Sequence, residues 1–409
     1  MNTVSSSAFI RSSLRKKGLR LCVLAKLVWI ALRNLKSAGK ARQAIRGLQQ
    51  RYLQIFGDVP VNKLTRVDGR YFWRLTAPGF PSRAHSLMFE NELNKEYPFK
   101  AEAGLRTLFL AITRKCPLNC EHCFEWNNLH QKEALSLDEL QHIVRKYQEY
   151  GTTQIMLSGG EPLVRFKDLL AILQQATPGT DFWVITSGFH LTEEKAHQLK
   201  AAGLTGVMIS MEHHLEAGHN RFRGYDQAYS WATRAAVNAR KAGLVTALSL
   251  CAARAYTNEA NLTAYMEMAK ELGVTFVQLL EPRAAGRYFG KDVDLHRDQI
   301  ELLERFYLEY STLPQWADYP IVSFVGYLQR RNGCMGGGDQ YMYIDANGEI
   351  QVCPFCHGNS GQAVDLSVQE AMDMLSKRPC QPFEMSHEIQ KNAELIEVEN
   401  LSEVKHPVP

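Results

Sequence analysis

The sequence predicts an α/β fold: a partial (β/α)6 TIM-like barrel with an N-terminal helical and hairpin extension and a small cysteine-rich C-terminal domain. Three observations predict it. Six apolar strand candidates recur between residues 105 and 281, with amphipathic helical stretches between them. No long insertion breaks the alternation, which is the pattern of a parallel sheet wound right-handed. The texture changes on both sides, to basic and apolar before residue 60 and to Gly- and Cys-rich after residue 320. At 409 residues the chain accommodates two or three folding units. The boundaries fall at 1–60, 61–100, 101–315, 320–385 and 386–409.

Hydrophobic residues at 45% and charged residues at 22% exclude wholesale disorder, a collagen and a disulfide miniprotein. The net charge of +4 hides an asymmetry. Residues 1–60 hold twelve basic side chains and one acidic one, Asp58, so this arm carries +11 and the rest −7. A basic arm on an acidic body meets a polyanion, either nucleic acid or anionic lipid.

Residues 8–56 read as helical, with a loop near Ser37-Ala38-Gly39. On a helical wheel from Leu19 to Lys40, Lys26, Arg33, Lys36 and Lys40 share a narrow polar face. Leu21, Val23, Leu24, Leu27, Val28, Ile30, Leu32 and Leu35 cover most of the rest, with Trp29 beside the basic stripe. That pattern suits an anionic membrane surface; packing on the body or on a second subunit is the alternative. Nucleic acid is the weaker partner, because the apolar face needs burial and lacks aromatic spacing for bases. The run at 21–32 is too short to span a bilayer, and no small-residue cleavage site follows it.

Residues 61–76 read as a hairpin around Asp68-Gly69, and Pro78-Gly79 and Pro81 then break the chain. The barrel strands follow at 105–113, 154–158, 182–186, 206–210, 244–251 and 274–281. The helix after the first opens on Ser136-Leu137-Asp138-Glu139, which has capping-box spacing. In such folds the chemistry lies at the carboxyl ends of the strands. Glycines bunch at Gly336-Gly337-Gly338 beyond residue 320, and a polar tail closes the chain.

Nine cysteines are an odd number, and seven fall in two clusters, which indicates metal sites rather than disulfides. Such thiol sites need a reducing compartment. The expected location is cytoplasmic, with peripheral attachment to the inner face of the membrane through the arm. Cys22 and Cys251 read as ordinary buried residues.

The first strand runs into Cys116-Pro117-Leu118-Asn119-Cys120-Glu121-His122-Cys123, a C-x3-C-x2-C loop. Three thiolates on one loop can hold three corners of an iron–sulfur cube and leave the fourth iron open. Zinc is the alternative, with His122 or His130 as a fourth ligand. The position at the mouth of the sheet favours a catalytic centre.

Further motifs end the next strands in order: Ser158-Gly159-Gly160-Glu161-Pro162, Thr186-Ser187-Gly188 and Ile209-Ser210-Met211-Glu212. His219-Asn220-Arg221-Phe222-Arg223-Gly224 follows. With the cysteine loop, this ordered set over roughly residues 105–290 resembles the radical S-adenosylmethionine (SAM) enzyme superfamily. Gly159 to Pro162 match its GGEP motif, Thr186 to Gly188 its Thr-Asn-Gly, and the last segment its His-Asp-x-x-Arg.

The resemblance implies roles. Cys116, Cys120 and Cys123 would ligate a 4Fe-4S cluster whose open iron chelates S-adenosyl-L-methionine. Gly159 and Gly160 let backbone approach the methionine amino group, with Glu161 and Ser187 beside them in their motifs. Ser210 and Arg223 are the candidates for ribose and carboxylate contacts, with Arg221 as the runner-up for Arg223. His122 stands where the family often has an aromatic residue against adenine. The implied reaction is reductive cleavage of SAM to a 5′-deoxyadenosyl radical that abstracts hydrogen from an unactivated carbon.

Cys334, Cys353, Cys356 and Cys380 supply a second set of thiols. Gly348 to Cys353 match the Gly-x4-Cys element of SPASM and twitch extensions, which implies one auxiliary 4Fe-4S cluster. His357 is a substitute for the distant Cys380, and a structural zinc site is the alternative reading. Such a cluster would serve electron transfer or substrate binding. The implied substrate is a peptide or a membrane lipid, and the implied partner an external one-electron reductant of the flavodoxin or ferredoxin type. Glu212, Glu281 and Tyr341, with Asp339 and Tyr343, are acid–base or radical-quenching candidates. The rival class is a non-catalytic, membrane-docked iron–sulfur electron carrier or zinc scaffold.

Overall fold

The computed structural model describes residues 8–376 except 58, 60, 61, 103, 339, 357, 359 and 360. Cys380, His357, Asp339 and the polar tail at 386–409 lie outside the described residues. Strand β1 (Ala8–Phe9) leads into helices α1 (Ser13–Leu35) and α2 (Ala38–Phe56). Strands β2 (Thr65–Val67) and β3 (Arg70–Phe72) form the expected hairpin, paired antiparallel about Asp68 and Gly69. Both turn residues have positive φ, at 46° and 77°, which explains the Asp-Gly choice.

Helix α3 (Arg83–Glu96) has no counterpart in the sequence reading, which places only a connecting segment there. Its apolar period is hidden by buried polar residues, namely His85, Asn91, Glu92 and Asn94. Asn91, Glu92 and Asn94 are satisfied tertiary partners, whereas His85 packs edge-on against Trp73, Phe80 and Phe89. Glu92 accepts from Arg51 at 2.6 Å and from Arg106 at 2.7 Å. Burial pushes its carboxyl upward, but Arg106, Lys95 and Arg51 outweigh that and hold it at about 2.

The alternating region follows in order: β4 (Thr107–Ala111), α4 (Leu137–Glu149), β5 (Gln154–Ser158), α5 (Phe166–Gln175), β6 (Asp181–Thr186) and α6 (Glu193–Ala201). It continues with β7 (Leu204–Ser210), α7 (Glu216–Arg223), α8 (Ala228–Lys241), β8 (Val245–Cys251), α9 (Glu259–Glu271), β9 (Phe276–Leu280) and α10 (Arg297–Thr312). All six predicted strands are present. Ser136 and Glu139 form the full capping box at the start of α4.

Strand β10 (Ile321–Phe324) and helix α11 (Val325–Asn332) come next, then β11 (Tyr341–Ile344), β12 (Ile350–Gln351) and α12 (Val368–Ser376). The main sheet runs β10-β9-β8-β7-β6-β5-β4-β11-β12. β10 pairs in parallel with β9 on one edge, and β11 pairs in parallel with β4 on the other. This corrects the expected boundary near residue 320. The C-terminal segment extends the barrel sheet at both edges, because its short strands satisfy the edge backbone groups of β9 and β4.

Inside the sheet a vertical gradient positions the site. Met156, Trp183, Met208, Ala247 and Phe276 make an apolar plug, and Val67, Phe72 and Leu75 of the hairpin segment close it from below. One side-chain repeat further along, the inward positions become Ser158, Ser210, Ser249 and Gln278. Ser210 lies in register with Ser249, and Ser249 with Gln278. The polar mouth is therefore at the carboxyl ends of the strands.

The arm is not one helix. Lys36 takes a left-handed conformation (φ 51°) and caps α1, and Ser37 caps the start of α2, so Lys40 belongs to a different helix from Lys26. Leu27, Ile30, Ala31 and Leu35 of α1 pack on Ala41 and Ala44 of α2 and on Leu93 of α3. Cys22 corrects another expectation: it is exposed, on the side of α1 away from this core, whereas Cys251 is buried as expected. Among the described residues no helix is long and apolar enough to cross a membrane.

Candidate active site

A cavity of about 880 Å³ opens at the polar mouth of the sheet. Cys116, Cys120 and Cys123 line it from the loop after β4. The loop is held on three sides. Thr113 and Arg114 are tied to Glu133, through Thr113 Oγ1 at 2.6 Å and the Arg114 N–H at 2.9 Å. The Asn119 N–H donates to the Arg223 carbonyl (3.1 Å) and the Glu121 N–H to the Phe222 carbonyl (3.0 Å). Arg287 donates from Nη1 to the Asn119 carbonyl at 2.7 Å, and its backbone N–H to the Cys123 carbonyl at 2.9 Å.

The glycines of Ser158-Gly159-Gly160 form a cradle against this loop. The Gly160 N–H donates to the Thr113 carbonyl, and the Glu161 N–H to the Lys115 carbonyl, both at 2.8 Å. A Cβ on Gly160 would lie 2.3 Å from the Lys115 carbonyl oxygen and 3.1 Å from Cys116 Cβ. Gly159 has φ 133°, and its Cβ would meet the Thr113 carbonyl oxygen at 2.6 Å. Only residues without side chains let the two loops touch.

Glu161 is buried, and its carboxylate accepts four hydrogen bonds. Thr186 Oγ1 (2.7 Å) and the Leu163 N–H (3.0 Å) donate to one oxygen. The Ser187 N–H (2.8 Å) and Ser187 Oγ (2.6 Å) donate to the other. Burial raises the Glu161 carboxyl above its ordinary value, and these donors offset only part of that rise. Glu161 thus bolts the loop after β5 to the loop after β6.

Arg223 reaches the centre from the end of α7. Its Nη1 lies 3.3 Å from Cys120 Sγ, and its Nη2 pairs with Glu212 Oε1. Glu212 Oε2 accepts from the Cys251 N–H at 2.7 Å, and the Glu212 N–H donates to His219 Nδ1 at 2.9 Å. Burial raises the Glu212 carboxyl against the pull of Arg223. Of the two arginines expected here, Arg223 is buried in the site and Arg221 is exposed. Burial, and then Arg223, lower the His122 imidazole, so it is neutral 3.7 Å from Glu212. Its ring lies 4.9 Å from that of Phe222.

Burial leaves Cys116 and Cys123 poorly suited to nucleophilic attack. Burial drives Cys116 far above its ordinary value and Cys123 up to about 12. A buried thiol at such a value deprotonates only when a cation takes the sulfur. Among the described residues no three His, Cys, Asp or Glu side chains gather around a single-ion position. The three free thiols, the glycine cradle and the polar strand ends fit a cluster with SAM.

Cys334, Cys353 and Cys356 line the same cavity. The Gly336 N–H points at Cys334 Sγ and the Phe355 N–H at Cys353 Sγ, each at 3.4 Å. A hydrogen bond from Cys356 lowers the Cys353 thiol, the opposite of the shift in the first loop. Between the two sets lies Phe124, its ring 5.8 Å from Phe355 and 6.0 Å from Tyr343.

The acid–base candidates find partners. Glu281 pairs with Arg330 at 2.6 Å and with Arg283 at 3.5 Å, and Arg330 also holds the buried Glu304 at 2.7 Å. Tyr343 donates to the buried Glu125. Tyr341 lines the cavity and accepts from Gln329 at 3.4 Å. Sequence reasoning missed Gly286 and Arg287. Gly286 has φ 55°, and a Cβ there would meet the Cys123 carbonyl oxygen at 2.3 Å. Ser249 and Gln278 were also missed, although strand alternation marks them as inward.

Residues 110–278, from β4 through β9, match the sequence profile of the Radical SAM superfamily. The chain carries a Radical SAM domain over those residues. It is a radical SAM enzyme, and the cysteine loop, the glycine cradle and four of the six barrel strands lie wholly inside the matched region. Two PqqA peptide cyclases are similar to it. That of Gluconobacter oxydans (strain 621H) is 28% identical over 260 residues, 60% of this chain and 69% of that protein. That of Granulibacter bethesdensis is 29% identical over 260 residues, 60% of this chain and 67% of that protein. Among solved structures, Streptococcus suis SuiB bound to precursor peptide SuiA superposes with a TM-score of 0.56 at 15% identity. The match covers 68% of this chain and 65% of SuiB. Native anSMEcpe with bound AdoMet superposes with a TM-score of 0.52 at 17% identity, over 72% of this chain and 97% of that one. At these identities the structural likenesses establish the fold alone.

Proposed function

We propose that this radical SAM enzyme modifies a peptide, with Cys116, Cys120 and Cys123 holding the SAM-binding 4Fe-4S cluster. The observation that carries the cluster assignment is the convergence of three thiols free of disulfides with the Gly159-Gly160 cradle in one cavity. When bound, the cluster and SAM supply a 5′-deoxyadenosyl radical on arrival of one electron. The protein's own residues do the rest. The cradle presents backbone to the cofactor, Ser210 and Ser249 offer hydroxyls, and Arg223 offers a guanidinium beside Cys120. His122 offers a neutral ring face for adenine. Glu161 and Ser187 fix the loops that carry these groups and make no further claim on their hydrogen bonds.

Cys334, Cys353 and Cys356 hold an auxiliary 4Fe-4S cluster in this reading, with Cys380 or His357 as the fourth ligand. All three described thiols line the same cavity as the first loop, which supports a role close to the bound substrate. A reductant of the flavodoxin or ferredoxin type supplies the electron.

The peptide reading draws support from the named substrates of the similar proteins: PqqA for the cyclases and SuiA for SuiB. Short peptides incubated with the reconstituted enzyme, SAM and reductant are expected to show a SAM-dependent change of mass. A lipid arm with phosphatidylglycerol vesicles runs in parallel. A SAM-dependent change on the lipid, with none on any peptide, overturns this reading.

A further inference from the structure

Helix α1 has two apolar faces, and the fold uses one. Leu27, Ile30, Ala31 and Leu35 are buried against α2 and α3. On the outer side Leu14 is 79% exposed, Leu21 67% and Trp29 50%. Leu24, Val28 and Leu32 are exposed with them. Positions 14, 21, 24, 28 and 32 step by seven, three, four and four, so they form one stripe along the helix. From Leu14 to Leu32 the stripe runs roughly 27 Å along α1. An exposed apolar patch of this kind marks an interaction site.

The charge around the stripe selects the partner. Neither α1 nor α2 contains an acidic residue. Arg15 and Lys17 are exposed at the N-terminal end of the stripe and Lys36 just beyond its C-terminal end. Lys26 Nζ lies 4.2 Å over the Trp29 ring, beside the stripe. Arg33 is already committed to Glu90 at 2.8 Å. A second copy docked here would set two cationic faces together. An anionic bilayer complements both features, with acyl chains against the leucines and phosphates against the ammonium groups. Trp29 sits at the edge between apolar and basic residues, the level of a headgroup boundary.

We propose that α1 lies flat on an anionic phospholipid surface and docks the enzyme there, with Leu21, Leu24 and Val28 inserted. The packed face of α1 stays on α2 and α3, so binding requires no unfolding.

The test is flotation of the full-length protein with phosphatidylcholine vesicles and with phosphatidylcholine–phosphatidylglycerol vesicles. The protein is expected to float with the anionic vesicles alone, and less so at high salt. Leu21→Glu/Val28→Glu is expected to lower the bound fraction at least about ten-fold, since two inserted side chains are lost. The milder Leu21→Gln/Val28→Thr is expected to act in the same direction, and circular dichroism of both variants verifies the fold. No flotation with anionic vesicles overturns the proposal. So does equal flotation of folded variants, which means charge adsorption alone. A lipid-free dimer or a complex with an acidic protein that these substitutions dissolve, without vesicle binding, overturns it as well.

Discussion

Alanine at position 160 is expected to strip the three-cysteine loop of its iron and to lower SAM cleavage by at least about a hundred-fold. The added methyl carbon would stand 2.3 Å from the Lys115 carbonyl oxygen and 2.7 Å from the carbonyl carbon. Both are backbone atoms, so no side chain can swing aside. The loop must move by about an ångström, and it carries Cys116 as the next residue. The hydrogen bonds from Gly160 and Glu161 to Thr113 and Lys115 would be strained together. Gly18→Ala is the control, because a Cβ there meets nothing within 4 Å. Iron content and 5′-deoxyadenosine release read the effect. A Gly160→Ala protein with full iron and full cleavage would show that the cradle is mere turn geometry.

Cys353→Ala/Cys356→Ala is the second large effect. It is expected to remove about four of about eight irons per chain and abolish turnover of the peptide. SAM cleavage without substrate is expected to persist, because the first loop is anchored by Glu133, Arg287 and the backbone at 222–223. None of those anchors involves the second set of thiols. Zinc in place of iron, with no loss of absorption in the variant, would contradict the assignment of an auxiliary cluster. Loss of all iron would show that the two sets fold as one unit.

The legible parts of the chain were those with a period or a spacing. Six strands declared themselves as apolar runs between amphipathic helices, and Asp68-Gly69 declared its turn through two positive φ angles. The motifs at the strand ends supply part of the cavity lining, because inward alternation and strand order bring them together. Four things were hidden. Helix α3 buries polar residues whose partners are far away in sequence, as when Glu92 meets Arg51 and Arg106. Strands β10 and β11 hold four residues each, too few for a period, and only the free sheet edges recruit them. Gly286 and Arg287 clamp the cysteine loop through backbone approach, for which no spacing rule exists. Glu281 looked free in the sequence because Arg330, 49 residues on, cannot be paired with it by inspection.

The rival reading, an electron carrier or zinc scaffold, differs from the enzyme in one observable. Anaerobically reconstituted protein, given SAM and sodium dithionite, is expected to release 5′-deoxyadenosine and methionine in equal amounts. Cys116→Ala/Cys120→Ala/Cys123→Ala is expected to release neither while keeping the second set of thiols and their iron. Fully iron-loaded wild-type protein that leaves SAM intact under strong reductant would contradict the account.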